Sequence, residues 1–275
     1  MTRLQRVRVL ISAALAVAAV VTCGAAVSDR TFQSTALRRP VPYRVILPID
    51  YATSTARFPV LYLLHGHDGA FGDWSDKTQV ASYAAGHPLI IVMPDGASSW
   101  YVDGANGDAW ETYLTADLIA DVDKTFRTIR TRDGRMIAGL SMGGYGAIKA
   151  GLKHPELYAF VGSFSGALDI TRPADVFHGE RRADVMAIFG PIGSDTRARN
   201  DVFTLAAAAT PAQVPYVWIA CGTNDPWLEP NREMARALKS RGVPYEYHER
   251  PGGHDWTFWD WAIKSLLADS HVPVR

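Results

Sequence analysis

Ser141, Asp225 and His254 are the residues of this 275-residue chain whose types and surroundings suit acyl transfer. A serine hydroxyl is a poor nucleophile at neutral pH. It needs an imidazole within hydrogen-bond reach, and the imidazole needs a carboxylate to hold its tautomer. Ser141 stands in Gly139-Leu140-Ser141-Met142-Gly143, a G-x-S-x-G pentapeptide. In a nucleophile elbow of this pattern the glycines make room for a strained serine backbone, and the hydroxyl faces the substrate. A glycine-rich turn with an idle serine fits the same five residues. The flanks favour the elbow, because Arg135 to Leu140 reads as a short strand and Gly143 to Lys153 as a helix. Gly144, Gly146, Ala147, Ala150 and Gly151 let that helix pack close to a sheet, with its N-terminus toward the reacting oxygen.

Asp225 follows an apolar run in Gly222-Thr223-Asn224-Asp225-Pro226-Trp227, and His254 lies in the glycine-rich stretch Pro251-Gly252-Gly253-His254-Asp255-Trp256. The chain order Ser, Asp, His is the one that accompanies a strand-to-helix elbow. For Asp225 the competing reading is an ordinary turn residue, with Glu229 as the reserve carboxylate. Among the other histidines, His154 ends a helix, His87 precedes a strand, His248 lies inside one, and His178 and His271 occupy polar segments.

Attack on a carbonyl builds charge on oxygen, which two backbone N–H groups would hold. Met142, directly after the serine, is one. The other is expected from the loop His65-Gly66-His67-Asp68-Gly69, with His67 as the donor. His65, His67 and Asp68 also allow a metal-cluster reading, but no further ligand set has recognisable spacing. The chemistry needs no metal or cofactor. Trp74, Trp100, Tyr101, Trp227 and Trp256 fall in loops at strand ends. Each could pack on its own loop. Together at one rim, Trp100, Tyr101, Trp227 and Trp256 would bind an aromatic acyl group or a sugar. Glu111, beside Trp110, reads as a first-turn helix acid.

These residues must be carried to one place by the elements around them. Pro42 to Pro48, Pro59 to Leu64, Pro88 to Met93, Phe160 to Ser165, Val214 to Gly222 and Pro244 to Glu249 read as strands. Trp110, Tyr113, Leu114, Leu118, Val122 and Phe126 recur at helical spacing and predict one long amphipathic helix. Asn231 to Arg241 and Trp256 to Ala268 predict two more. Strands alternating with helices give an α/β fold with a mostly parallel sheet covered on both faces, its ligands bound at the C-terminal strand ends. Residues 169–210 break the rhythm and are expected as an excursion that could wall the site.

Lys+Arg 28 balance Asp+Glu 28, so no global field favours nucleic acid or an anionic membrane. Arg3, Arg6 and Arg8 precede an apolar run from Val9 to Val27, with Gly24-Ala25-Ala26 supplying small residues for cleavage. This is the pattern of an export signal over residues 1–26, placing the mature protein outside the cytoplasm or in the cell envelope. An uncleaved anchor is the alternative, and would be the chain's one membrane contact. Lipidation at Cys23 has a poor motif. Residues 27–41 read as a tether and 42–275 as one domain, since roughly 250 residues suit a single α/β unit. Cys221, the one thiol left after cleavage, can form no internal disulfide and reads as a small buried strand residue.

Leu63-Leu64-His65-Gly66, Ser99-Trp100-Tyr101, Trp110-Glu111-Thr112-Tyr113-Leu114, Gly139 to Gly144, Cys221 to Asp225 and Gly253 to Trp256 together resemble the esterase D-like esterases of the α/β-hydrolase superfamily. That group takes in feruloyl, acetylxylan and tributyrin-type esterases, S-formylglutathione hydrolases and secreted mycolyltransferases. The resemblance covers nearly all of Pro42 to Leu267. It implies an α/β-hydrolase fold and a serine carboxylesterase acting on a small-molecule or glycan-linked ester. Ser141, Asp225 and His254 would form the triad, with the amides of His67 and Met142 as the oxyanion hole. An acyltransferase passing the acyl group to a sugar or lipid hydroxyl is the alternative, followed by a thioesterase and a non-catalytic surface protein. Asp68 and Gly69 stand where formylglutathione hydrolases usually carry a cysteine, which demotes the thioesterase. Nothing in 169–210 guarantees the long apolar channel of a mycolyltransferase.

Overall fold

Successive side chains of a strand point to opposite faces, so a run that is apolar at every position asks for cover on both sides. Val60-Leu61-Tyr62-Leu63-Leu64 is such a run, buried throughout, and it forms a strand in the middle of the sheet. The computed structural model describes residues 25–172 and 180–273. Its strands are β1 (Ala26–Ser34), β2 (Arg39–Leu47), β3 (Val60–Leu64), β4 (Ile90–Pro94), β5 (Arg135–Leu140), β6 (Phe160–Phe164), β7 (Tyr216–Gly222) and β8 (Tyr245–Arg250). Across the sheet they run β1, β2, β4, β3, β5, β6, β7, β8. β2 is antiparallel to both neighbours, and every pairing from β4 to β8 is parallel.

The helices are α1 (Asp73–Lys77), α2 (Val80–Ala84), α3 (Trp110–Thr112), α4 (Leu118–Thr125), α5 (Met142–Lys153), α6 (Glu180–Phe189), α7 (Asp195–Arg199), α8 (Val202–Ala208), α9 (Leu228–Arg241) and α10 (Trp256–Leu267). Two apolar layers follow from the alternation along the strands. Val60, Tyr62 and Leu64 pack with Met142, Tyr145 and Ile148 of α5 and with Met234 and Leu238 of α9. Leu61 and Leu63 turn the other way, into a layer with Trp74 and with Phe258, Ile263 and Leu266 of α10. The predicted mostly parallel sheet with helices on both faces is what forms.

Two expectations change. Residues 27–41, expected as a tether, instead contribute β1, which pairs with β2 from Ala26 opposite Leu47 to Ser34 opposite Arg39. Its side chains are mostly exposed, so a polar edge strand carries little of the alternation by which strands are recognised. Phe32 anchors it on Tyr43 and Tyr113, and Asp29 pairs with Arg44. The long helix from Trp110 is present but holds a π turn, Tyr113–Asp117, between α3 and α4. There the Thr115 hydroxyl donates to the Glu111 carbonyl, diverting a backbone acceptor to a side chain. Residues 1–24 of the export segment, Cys23 among them, lie outside the described residues, as does His178, whereas Ala26 already belongs to β1. Among the described residues no helix is long and apolar enough to cross a membrane. Cys221 is fully buried on β7, where burial pushes its thiol well above the ordinary range.

Glu111 is buried and carries more than a first-turn role. Its carboxylate accepts hydrogen bonds from Lys149 at 2.7 Å and Lys153 at 2.9 Å, and meets His154 Nε2 at 2.8 Å. Burial works to raise its pKa, but the bonds from His154 and Lys149 outweigh that and hold it far below the ordinary 4.5. A carboxylate with a depressed pKa stabilises the fold above its ordinary value and loses that contribution as pH falls toward the folded one. Glu111→Gln should therefore cost about 3 kcal/mol at neutral pH, since it leaves the buried Lys149 ammonium without its anion. Urea midpoints of the two proteins should converge as pH falls below 4.5. A gap that stays constant from neutral to acid would show that the charge on Glu111 is not what stabilises this cluster.

Candidate active site

Strand β5 delivers Ser141 to the C-terminal edge of the sheet and α5 begins at the next residue. The turn between them is so tight that Ser141 adopts φ 53°, ψ −115°, a left-handed backbone costly for any residue with a Cβ. Three hydrogen bonds hold it there. The Ser141 N–H donates to the Phe164 carbonyl at 2.9 Å, and its carbonyl accepts from Tyr145 and Ala167. Gly143 is required by close approach, because a Cβ there would fall 2.6 Å from the carbonyl oxygens of Leu64 and His65. The first turn of α5 thus lies directly against the end of β3.

The loop after β7 carries Asp225 and the loop after β8 carries His254. The Asn224 N–H donates to the Gly252 carbonyl at 2.9 Å and ties the two loops together. His254 Nε2 lies 2.9 Å from Ser141 Oγ, and His254 Nδ1 lies 2.9 Å from Asp225 Oδ2. An ionised carboxylate only accepts, so Nδ1 carries the proton and Nε2 is left to accept from the serine. The other Asp225 oxygen accepts the Trp227 N–H at 2.8 Å, which fixes the carboxylate's rotation. The Asp225 side chain has no exposure, whereas that of His254 retains 27% and can meet substrate. The His254 ring stands edge-on to Trp259, centroids 4.9 Å apart.

Of the two expected amide donors, His67 lines the cavity beside Ser141, and Met142 directly follows Ser141 in the chain. Met142 is the first residue of α5, where N–H groups have no acceptor within the helix. His67 and Gly66 line a cavity of about 230 Å³ together with Ser141, Leu140, His254, Asp68, Asp73, Lys77, Trp256 and Trp259. Loop His65 to Gly69 is braced from behind. The Gly96 N–H donates to His65 Nε2 at 2.9 Å, so Nδ1 holds the proton and donates to the Gly66 carbonyl at 2.7 Å. With both ring nitrogens so engaged, His65 serves the loop rather than a metal. The Tyr101 hydroxyl also donates to the His65 carbonyl, at 3.2 Å.

Of the four aromatics expected at the rim, only Trp256 lines this cavity. Trp100, Tyr101 and Trp227 are 2%, 0% and 8% exposed and pack inside the protein, which corrects the expectation that they contact substrate. Trp74 is likewise buried, its indole N–H donating to the Leu64 carbonyl at 2.9 Å. The bulk that made these residues attractive as platforms instead fills the space beneath the loops. Residues 169–210 were expected to wall the site. Among the described residues none of them lines the Ser141 cavity. Phe189 of α6 packs on Trp100 and Tyr145 instead. The sequence reading missed Trp259, Asp73 and Lys77. Trp259 sits one helical turn after Trp256, and Asp73 and Lys77 lie on α1, the first helix after the loop that holds His67.

Glu229, His154 and His248, which competed for these roles, are engaged elsewhere. Glu229 pairs with Arg236, His154 with Glu111, and His248 stacks on Trp218. Glu246, Asp269 and His271 have ligand atoms within 4.8 Å of one another, but they sit toward the opposite end of β8 from His254 and bond to each other.

A family model described as "Putative esterase" matches residues 34–269. The chain is similar to an acetyl esterase of Caldicellulosiruptor saccharolyticus, 28% identical over 250 residues that make up 86% of this chain and 94% of that protein. It is 33% identical over 250 residues to Esterase Rv1288 of Mycobacterium tuberculosis (strain ATCC 25618 / H37Rv), a match spanning 81% of this chain and 54% of that protein. Among solved structures it is similar to FphF, a fluorophosphonate-binding serine hydrolase of Staphylococcus aureus with substrate bound. The TM-score is 0.81 at 27% identity, over 89% of this chain and 98% of that one.

Proposed function

The chain belongs to the "Putative esterase" family of α/β-hydrolase fold enzymes and is a hydrolase, and from that premise we propose that it is a serine carboxylesterase working through an acyl-enzyme. The observation that carries the reading is the unbroken hydrogen-bonded run from Ser141 Oγ through His254 to Asp225 at the edge of one cavity. Ser141 Oγ attacks the ester carbonyl carbon while His254 Nε2 takes the hydroxyl proton. The carbonyl oxygen becomes an oxyanion facing the amides of Met142 and His67. Collapse breaks the bond to the alcohol oxygen, which leaves with the proton returned by His254. Water then attacks the acyl-enzyme by the same route and frees the acid and Ser141.

The cavity supports a short or compact acyl group on a polar leaving group. Asp68, Asp73 and Lys77 put charge along one side of it, and Trp256 and Trp259 give flat apolar surface on another. Lys77 lies 5.0 Å from the Trp256 ring centre, so charge and indole meet at one point. A volume of about 230 Å³ suits a small-molecule ester or one sugar-linked acyl group better than a long lipid chain. Transfer to an alcohol acceptor uses the same residues, and product analysis with and without an added alcohol separates it from hydrolysis. The N-terminal segment, read as an export signal, would have the protein meet its substrate outside the cytoplasm.

A panel of acetyl, butyryl, long-chain and feruloyl esters, run beside a fluorophosphonate probe, tests the proposal. The expected result is hydrolysis of acetyl or butyryl esters about tenfold or more faster than long-chain ones, with the probe attached at Ser141. Failure of the whole panel together with an unlabelled Ser141 would sink it.

A further inference from the structure

A second run of contacts connects the helix that starts at the nucleophile with the loop that holds His67. Lys149 on α5 has no exposure, and its ammonium donates to Glu111 Oε2 at 2.7 Å and to the Tyr101 carbonyl at 2.6 Å. A buried ammonium is costly and persists only where its charge is met. Lys153 also donates to Glu111, so charge balance alone does not call for a second ammonium there. What is particular to Lys149 is its bond to the Tyr101 carbonyl.

That carbonyl belongs to a strained turn. Trp100 and Tyr101 have φ of 58° and 53°, and two consecutive aromatic residues take left-handed backbone only where their surroundings enforce it. Each end of the turn touches one side of the oxyanion site. The Trp100 N–H points at Met142 Sδ, 3.3 Å away, and the Tyr101 hydroxyl donates to the His65 carbonyl. The Tyr101 ring is also wedged between the segment after β4 and helix α5. A Cβ on Gly96 would come within 2.2 Å of it, and one on Gly146 within 2.7 Å. The two amide donors sit on different segments of the chain, and their spacing must hold to well under an ångström for both to reach one oxygen. The turn spans the gap between those segments.

We propose that Lys149 is a positioning residue for the oxyanion hole, locking the Trp100–Tyr101 turn through the Tyr101 carbonyl so that Met142 and the His65–His67 loop keep their spacing. This rests on the serine esterase reading. Lys149 touches no reacting atom, and its effect reaches the transition state only through Tyr101.

Two variants test it, Lys149→Met and Tyr101→Phe, with p-nitrophenyl acetate as substrate and an alkyl trifluoromethyl ketone as probe. The ketone adds to the serine hydroxyl and places an oxyanion in the hole, so its affinity reads the hole directly. Lys149→Met should lower kcat by about 10- to 100-fold and Tyr101→Phe by about 5- to 10-fold, with KM changed less than about threefold. The inhibition constant for the ketone should rise by the same factor as kcat falls. A merely structural role would lower thermal stability and leave kcat and ketone affinity alone. That outcome in folded Lys149→Met overturns the proposal. If Lys149→Met does not fold, wild-type kcat and ketone affinity in Tyr101→Phe overturn it. A parent protein inert toward every ester would bring down the esterase reading itself, and this inference with it.

Discussion

Replacing Ser141 by Ala should lower kcat/KM for a p-nitrophenyl ester by a factor on the order of 10^5, with substrate affinity nearly unchanged. That corresponds to about 7 kcal/mol of transition-state stabilisation. The loss is so large because, among the described residues, Ser141 carries the one hydroxyl that lines the cavity. His254 Nε2 is aimed at Ser141 Oγ at 2.9 Å, at the edge of the cavity that both residues line. Stability supplies a second readout. Ser141 is held at φ 53°, a conformation that alanine dislikes as much as serine does and that glycine accepts. Ser141→Gly should therefore be as inactive as Ser141→Ala yet more stable than it by about 1 kcal/mol, read from urea midpoints. If Ser141→Ala retained more than about a hundredth of parent activity, the nucleophile would have to be sought elsewhere.

Asp225→Asn should lower kcat by about 10^4-fold while leaving the fold intact. The reason is the pair of bonds the carboxylate already makes. One oxygen accepts the Trp227 N–H and the other accepts the proton on His254 Nδ1. In an asparagine the amide oxygen must keep facing the Trp227 N–H, because two donors cannot share that contact, and the amide NH₂ then points at Nδ1. Imidazole answers by moving its proton to Nε2, where it blocks acceptance from Ser141. KM should change little and the melting temperature by only a few degrees. Measuring kcat for the asparagine variant, with the imidazole tautomer followed by NMR, checks both steps. A loss smaller than tenfold would mean that Asp225 does not set the tautomer.

Most of the site is legible in the chain because each part has a local signature. The strain at Ser141 has to be relieved by small neighbours, and those neighbours are visible as glycines. Asp225 and His254 each follow an apolar run, and a parallel sheet sends the ends of such runs to one edge whatever the details of packing. The order of the three residues then leaves few alternatives. Glu229, His154 and His248 are weaker candidates on the same grounds, and in the fold they pair with other partners.

The edge strand β1 escaped because its residues mostly face water, so no alternation marks it. The aromatics misled for a related reason. A tryptophan placed soon after a strand has the same sequence appearance whether it lines the cavity, as Trp256 does from the start of α10, or fills the space beneath, as Trp100 does.

Residue type and order along the chain thus determined the alternating strands and helices, the elbow and the three side chains of the proposed mechanism, because each depends on neighbours within a few positions. Only the tertiary structure decided which aromatics line the cavity beside Ser141, where Asp73, Lys77 and Trp259 stand, and that Lys149, Glu111 and Tyr101 come together behind the His65–Gly69 loop. Those facts depend on contacts between segments many residues apart. Burial and charge pairing at such contacts are settled by how the layers pack, and local sequence carries no record of that.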